Sequence, residues 1–261
     1  MSIALSIIMV SFNARTDLER CLESLHVAPP KASHEILVVD NRSTDGSVES
    51  ARRWPDVRVI EQDVNVGFAR ANNTGIRAST GTMLLLLNSD TIVPPGAIDR
   101  LLAVLDAEPQ VAVVGPRLVD GNGRAELSFG RMIGPLNEWR QKRITQSGLA
   151  ESLTRQRHYP DWVSGACLLV RRADAEAVGL LDERYFMYAE DVDFCAAIRA
   201  RGRQVLFTPD VEIVHLRGRS AAAAPADTRA AYRRSQIAFY EKHHPFWAPI
   251  LKLYLRARQQ I

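Results

Sequence analysis

The 261-residue chain has few cysteines, no long hydrophobic run and no surplus of one charge, and each absence excludes a class of protein. Its three cysteines, Cys21, Cys167 and Cys195, are odd in number and lack CxxC spacing, which excludes a disulfide scaffold and a zinc knuckle. Cys21 and Cys195 sit among apolar residues at helical spacing, so all three are expected as reduced core thiols. The apolar run Met83 to Leu87 is far too short to cross a bilayer. The opening MSIALSIIMVSFNA lacks the basic stretch and apolar length of a signal peptide, so the expected location is the cytoplasm. Lys plus Arg (33) against Asp plus Glu (30) leaves +3, which does not point to nucleic acid. Apolar residues at 46% and charged residues at 24% exclude a disordered chain, a collagen and a polytopic membrane protein.

What is present is an alternation of strand-like and helix-like segments. Leu5 to Val10 reads as a buried strand. A helix follows, with Thr16 and Glu19 as a capping box and Leu18, Cys21, Leu22 and Leu25 on one face. Strand Glu35 to Val39, turn Asn41 to Gly46, helix Val48 to Arg53 and strand Val57 to Ile60 come next. Helix Ala69 to Ala78, strand Thr82 to Leu87 and a helix opened by Pro94-Pro95 complete a β-α-β-α series, with Ile98, Leu101, Leu102 and Leu105 turned inward. This order predicts a mostly parallel sheet with helices on both faces. Beyond it lie strand Val111 to Val114, a hairpin turn at 120–123 and a polar stretch over 130–160 expected to be a mobile insertion. Strand Ala166 to Arg171, helix Asp191 to Arg201, strands Gln204 to Phe207 and Val211 to His215, and a helix over 227–243 follow. From Arg217 onward nine Lys or Arg face two acids, which concentrates positive charge at the C-terminus.

Ligands of open parallel sheets bind outside the carboxyl ends of the strands. Three such ends are polar here: Ser11-Phe12-Asn13, Asp40-Asn41 and Asn88-Ser89-Asp90. No GxGxxG or GxxxxGK[ST] follows a strand, so there is neither a dinucleotide fingerprint nor a P-loop. A carboxylate-held Mg²⁺ is another way to neutralise phosphate, and Asp90 suits it, although a turn before Pro94 is the plainer role. In YFMYAEDVD, Glu190, Asp191 and Asp193 open a helix. Such acids complement the macrodipole, and one of them is a candidate general base that spacing alone does not single out. His215 ends an apolar strand, where a structural hydrogen bond is the commoner use of a lone histidine.

Taken in order, SIIMVSFNA, EILVVDNRSTDGS, NVGFARANNTGIRAS, MLLLLNSDT, WVSGACLLVRR, GLLDERYFMYAEDVDFCAAIRARG and VEIVHLRGRS resemble the family 2 inverting glycosyltransferases. Within them the likeness is to the bacterial rhamnosyltransferase-like group, and it covers roughly residues 3 to 220. The resemblance implies a GT-A fold of the α/β class, with a donor-nucleotide half (1–115), an acceptor and catalytic-base half (116–220) and a helical, basic extension (221–261). Phe12, Asn13, Asp40 and Asn41 are implied at the nucleobase, and Gly67, Asn72 and Asn73 in a second donor element. Asn88-Ser89-Asp90 stands where the family usually has DxD, with Asn88 at the ribose and Asp90 on the metal. His215 is implied as a further metal ligand, Ser220 beside the diphosphate, and Asp191 as catalytic base. Trp162, Gly165, Ala166 and Glu190 are implied at the acceptor, with core packing the alternative for Trp162.

The resemblance further implies Mg²⁺ or Mn²⁺ as cofactor and dTDP-L-rhamnose as donor, with UDP-hexoses as the alternative. The implied acceptor is a glycan on polyprenyl diphosphate in cell-surface polysaccharide synthesis. The aromatic, basic C-terminus (Phe246, Trp247, Leu251, Tyr254 with Lys252, Arg256 and Arg258) suits an anionic membrane face, a closing helix or a dimer contact. Two other classes compete. A sugar nucleotidyltransferase would carry a Gly- and Arg-rich loop after the first strand, which Ser11-Phe12-Asn13-Ala14 is not. A non-catalytic binding module would have no need of Asp90, Asp191 and His215 together.

Overall fold

The computed structural model describes residues 3–134, 137, 143, 149–216 and 225–258. Strands β1 (Leu5–Ser11), β2 (His34–Asp40), β3 (Val57–Glu61) and β4 (Met83–Leu87) form the parallel half of one large sheet, in the order β3-β2-β1-β4. Beyond β4 the order continues with β10 (Cys167–Arg171), β6 (Val111–Val119), β11 (Gln204–His215) and the short β5 (Thr91–Ile92). β10 runs antiparallel to both neighbours, whereas β6 and β11 are parallel to each other. A short strand β7 (Ala125–Glu126) turns back on β6, and β8 (Phe129–Gly130) pairs with β9 (Trp162–Val163) in a separate ribbon.

The central strands β1, β4 and β10 are mainly apolar because both faces are covered, whereas the edge strand β3 carries exposed Arg58 and Glu61. Leu5, Ile7 and Met9 of β1 point into one layer with helices α1 (Arg15–Val27) and α4 (Ala97–Asp106). Ile8 points the other way, onto α3 (Phe68–Ala78) and onto the helix that begins at Glu190. This period-two division places the core on both sides of the sheet. Each fully buried Leu, Ile or Val there contributes about 1.5–3 kcal/mol. The three cysteines are free and buried, and burial pushes the Cys21 and Cys195 thiols up to about 12, as inert core groups.

Several local expectations are corrected. Thr16 and Glu19 form no capping box: the helix begins at Arg15, without a side-chain cap from its own Ncap. Asp45 of the next loop accepts from the Arg15 N–H at 2.8 Å instead, setting a carboxylate at the positive end of the helix. Glu19 is free to accept from Ser50 Oγ at 2.7 Å, which fastens α1 to α2 (Ser47–Ala51). The two strands expected over 204–215 are one strand. Pro209-Asp210 causes a register irregularity against β6 between Thr208 and Glu212, and pairing resumes beyond it. Of the stretch 130–160, expected as a mobile insertion, the structure describes 130–134, 137, 143 and 149–160, including a short helix, α5 (Ala150–Leu153), and the rest lies outside the described residues. Short α6 (Arg172–Ala177), α7 (Glu190–Ala200), α8 (Pro225–His243) and α9 (Ala248–Ala257) complete the helices described.

Candidate active site

Register brings the polar strand ends together. Ser11 of β1 pairs with Asp40 of β2, so the loops leaving them start side by side. Asn13 adopts a left-handed conformation (φ 49°), in which its N–H donates to Ser43 Oγ at 2.9 Å and its Oδ1 accepts from Thr44 N–H at 2.8 Å. This leaves the Phe12 ring 43% exposed at the rim. Asp40 is buried, with Oδ2 accepting from Ser43 N–H at 2.7 Å and Oδ1 lacking a partner. Asn41 braces the next loop, donating to the Gly67 carbonyl and accepting from Val66 N–H, both at 3.3 Å. Gly67 has φ +87°, and a Cβ there would lie 2.5 Å from the Phe186 carbonyl oxygen. Only glycine allows that approach, and Phe68 N–H closes it by donating to the same oxygen at 2.6 Å.

The end of β4 faces the end of β11. Thr91 of β5 pairs with His215, which sets the His215 imidazole beside the Asn88-Ser89-Asp90 turn. Its Nε2 lies 3.3 Å from Asp90 Oδ1 and 3.4 Å from Asn88 Nδ2. Its Nδ1 lies 3.1 Å from Glu126 Oε2. Burial alone would lower the His215 pKa, but the Asp90 and Glu126 carboxylates overcome it and raise the value to about 9. Asn88 Oδ1 is buried without a partner, and Ser89 is buried between its neighbours. Glu126 joins this cluster although no motif in the sequence points to it. The hairpin turn at 120–123 was legible, and pairing of β7 on β6 carries Glu126 to the buried side behind His215. An acid two strand positions beyond a hairpin is the signal available for finding it.

A single turn joins this cluster to the three acids. Asn88 N–H donates to the Ala166 carbonyl at 2.9 Å, and Gly165 N–H donates to Asp191 Oδ2, also at 2.9 Å. A Cβ on Gly165 would sit 3.4 Å from Asp191 Cβ, so the turn packs directly against the acid. Tyr188 and Ala189 are both left-handed (φ 72° and 68°) just before α7. Each costs about 1–3 kcal/mol of backbone strain, a cost met with at functional turns.

The three acids of α7 have distinct surroundings. Asp193 is buried and neutralised by α8: Lys242 Nζ lies 2.8 Å from Oδ2 and His243 Nε2 2.6 Å from Oδ1. Tyr185 also donates to it, at 3.2 Å. Glu190 is buried with Oε2 unpartnered, and burial together with the Asp191 charge raises its pKa well above the usual carboxylate range. Asp191 is half-buried, with Oδ1 accepting from Val192 N–H at 2.8 Å. Burial raises its pKa, against the opposing N–H groups of Gly165 and Val192.

Other expected residues have structural partners. Asn73 donates to the Leu181 carbonyl at 2.8 Å and accepts from Leu181 N–H at 3.1 Å, tying α3 to the loop before α7. Asn72 donates to the Phe68 carbonyl of its own helix at 3.0 Å. The Trp162 indole N–H donates to the Arg131 carbonyl at 2.8 Å, and its ring packs beside Tyr185, Ala189 and Val192. Ser220 lies outside the described residues. Among the described residues no three His, Cys, Asp or Glu side chains form a group able to hold a metal ion by itself. Asp90 and His215 therefore provide at most part of a coordination sphere. None of the described helices is long and apolar enough to cross a membrane.

A large, mostly parallel sheet flanked by helices, with its polar residues at the strand ends, is the architecture of the GT-A glycosyltransferases. The chain belongs to glycosyl transferase family 2, whose model matches residues 6–177, and is a glycosyltransferase. It is 32% identical to an N-acetylglucosaminyl-diphospho-decaprenol L-rhamnosyltransferase of Mycobacterium tuberculosis, over 98% of this chain and 90% of that protein. It is 28% identical to the O-antigen biosynthesis protein RfbC of Myxococcus xanthus, over 94% of this chain but 20% of that one. A solved mannosyltransferase of Pyrobaculum calidifontis, PcManGT in complex with GDP-Man and Mn²⁺, superposes with a TM-score of 0.64 at 21% identity. That alignment covers 97% of this chain and 69% of the mannosyltransferase.

Proposed function

We propose that this chain is an inverting, divalent-metal-dependent rhamnosyltransferase. It moves L-rhamnose from dTDP-L-rhamnose to a glycan carried on polyprenyl diphosphate, in cell-surface polysaccharide synthesis at the cytoplasmic side of the membrane. The choice of sugar and acceptor is supported by the near-full-length similarity to the mycobacterial rhamnosyltransferase. The chemistry is supported by one observation above all: the Gly165-Ala166 turn couples Asp191 to the Asn88–Asp90 cluster, its Ala166 carbonyl accepting from Asn88 N–H and its Gly165 N–H donating to the Asp191 carboxylate.

In this reading Phe12, Asn13, Asp40 and Asn41 receive the nucleobase, and the unpartnered Asn88 oxygen takes a ribose hydroxyl. Asp90 and His215 would hold the cation, with diphosphate oxygens and water as its remaining ligands. The fit is chemical: a carboxylate oxygen of Asp90 and the imidazole Nε2 of His215 lie 3.3 Å apart, and Glu126 holds the imidazole from its far nitrogen. When bound, such a cation supplies positive charge against the leaving diphosphate. Asp191 accepts the proton of the acceptor hydroxyl as its oxygen bonds to the anomeric carbon. The bond from that carbon to the diphosphate breaks on the opposite side, so one displacement inverts the centre and no covalent intermediate forms. Trp162 and the Gly165-Ala166 turn border the acceptor, and Glu190 lies beside it.

Glu126→Gln retains the shape but removes the charge behind His215. Mn²⁺ affinity in the presence of nucleotide, read by calorimetry, is expected to fall about 10–100-fold. The reading as a whole is tested by mixing the protein with dTDP-rhamnose, Mg²⁺ and a short-chain prenyl-diphospho-N-acetylglucosamine. Mass spectrometry should find one added deoxyhexose, and the one-bond C1–H1 coupling in the NMR spectrum of the product should show the inverted configuration. A retained configuration, or hydrolysis without transfer, would contradict it.

A further inference from the structure

Helix α9 is apolar on two sides, although only one side packs on the protein. Leu255 is buried, and Ala248 and Leu251 turn inward to the cluster that contains Phe239 and Tyr240 of α8. The opposite side carries Ile250 (56% exposed), Leu253 (71%) and Tyr254 (52%), and the preceding turn adds Phe246 (91%) and Trp247 (50%). Scattered exposed apolar residues are ordinary, but five on one short helical segment make a patch that calls for a partner.

Charge and composition indicate which partner. Residues 244–261 contain no Asp or Glu. Lys252 is paired with Glu241 of α8 at 2.5 Å, which leaves Arg256 and Arg258 as exposed cations, the latter 5.3 Å over the Tyr254 ring. A two-fold contact through this face would set those arginines near their own copies with no acid in the segment to offset them. Aromatic and aliphatic residues flanked by arginine instead match the boundary between lipid headgroups and acyl chains. With no described helix able to cross a membrane, the geometry is one of lying on a surface.

We propose that the outer face of α9 docks on an anionic bilayer. Phe246, Trp247, Ile250, Leu253 and Tyr254 enter the headgroup–acyl boundary, and Arg256 and Arg258 meet lipid phosphates. The inner face of the same helix packs in the cluster that holds Tyr185, Ala189 and Val192, with Trp162 against it. Docking therefore sets the wall of the candidate acceptor side one layer of side chains from the lipid. That consequence, unlike the docking itself, rests on the lipid-linked acceptor proposed above.

The test uses the full chain with vesicles of phosphatidylcholine, with and without phosphatidylglycerol, in a flotation assay. Binding to the anionic vesicles is expected, and Phe246→Ser with Leu253→Ser and Tyr254→Ser should weaken it about tenfold or more. Arg256→Gln with Arg258→Gln should remove the preference for anionic lipid, at about fivefold per charge. Circular dichroism and dTDP-rhamnose binding on the same samples check that the variants are folded. Equal recovery of wild type and variants with anionic vesicles would overturn the proposal. So would a dimer in light scattering that the three serines dissociate, which would assign the face to a second copy. Vesicle binding without sugar transfer sinks the transferase reading alone, whereas transfer without vesicle binding sinks the docking surface alone.

Discussion

Asp191→Asn is expected to lower kcat about 10³-fold, near the middle of the range for loss of a general base, while dTDP-rhamnose affinity stays within about twofold. Asparagine keeps an oxygen for the Gly165 N–H and retains the shape of the side chain. It turns an amide NH₂ toward Val192 N–H, at a cost of about 1–3 kcal/mol for the bond lost. Donor affinity is spared because the Asp191 contacts run to Gly165 and Val192 and not to Asp40, Asn88 or Asp90. A pH profile of kcat gives an independent reading. Burial raises the Asp191 pKa and that of its neighbour Glu190. A base works only when deprotonated, so activity is lost as pH falls through the raised value, at a higher pH than for an ordinary aspartate. In Asp191→Asn this acid limb disappears from the residual rate. A variant with near-normal kcat, or an unchanged limb, would move the base elsewhere.

Asp90→Ala has the second large effect, and it falls on binding. Removing the carboxylate leaves His215 with Glu126 on one nitrogen and no acid on the other, within a largely buried pocket. Donor affinity in Mg²⁺ or Mn²⁺ is expected to fall about 100-fold or more, toward the value measured in EDTA. The wild type should show a large difference between metal and EDTA, and Asp90→Ala should show almost none. A variant that kept the full metal effect would mean that the cation is held by other groups.

Much of this architecture was legible in the sequence because it obeys simple periods. Strands such as Leu5 to Val10 are apolar at all positions but Ser6, and helices such as α1 repeat Leu18, Cys21, Leu22 and Leu25. The order of these elements sufficed for a parallel sheet and for three polar strand ends. What stayed illegible was set by contacts between segments distant in sequence. The Asp45 carboxylate replaces the capping box read from Thr16 and Glu19 because the next loop folds over the start of α1. Glu126 reaches His215 through two strand pairings that no local pattern encodes. The acids of α7 could not be told apart by spacing. They differ because α8, some fifty positions away, brings Lys242 and His243 to Asp193 alone. His243 and His244, read only as a helix end, anchor separate partners: Asp193 and the Ile133 carbonyl. Asn73, implied at the donor, has its amide engaged by Leu181.

The central claim is that the strand-end cleft takes a dTDP-sugar with a divalent cation. Calorimetric titration of the purified full chain with dTDP-rhamnose, UDP-glucose, UDP-N-acetylglucosamine and GDP-mannose, each in Mg²⁺, Mn²⁺ and EDTA, tests it directly. Tightest binding is expected for dTDP-rhamnose, present with either metal and largely lost in EDTA. Equal binding in EDTA would contradict the metal site at Asp90 and His215, and preference for a UDP- or GDP-sugar would contradict the donor. Absence of binding to all four would contradict the central claim itself.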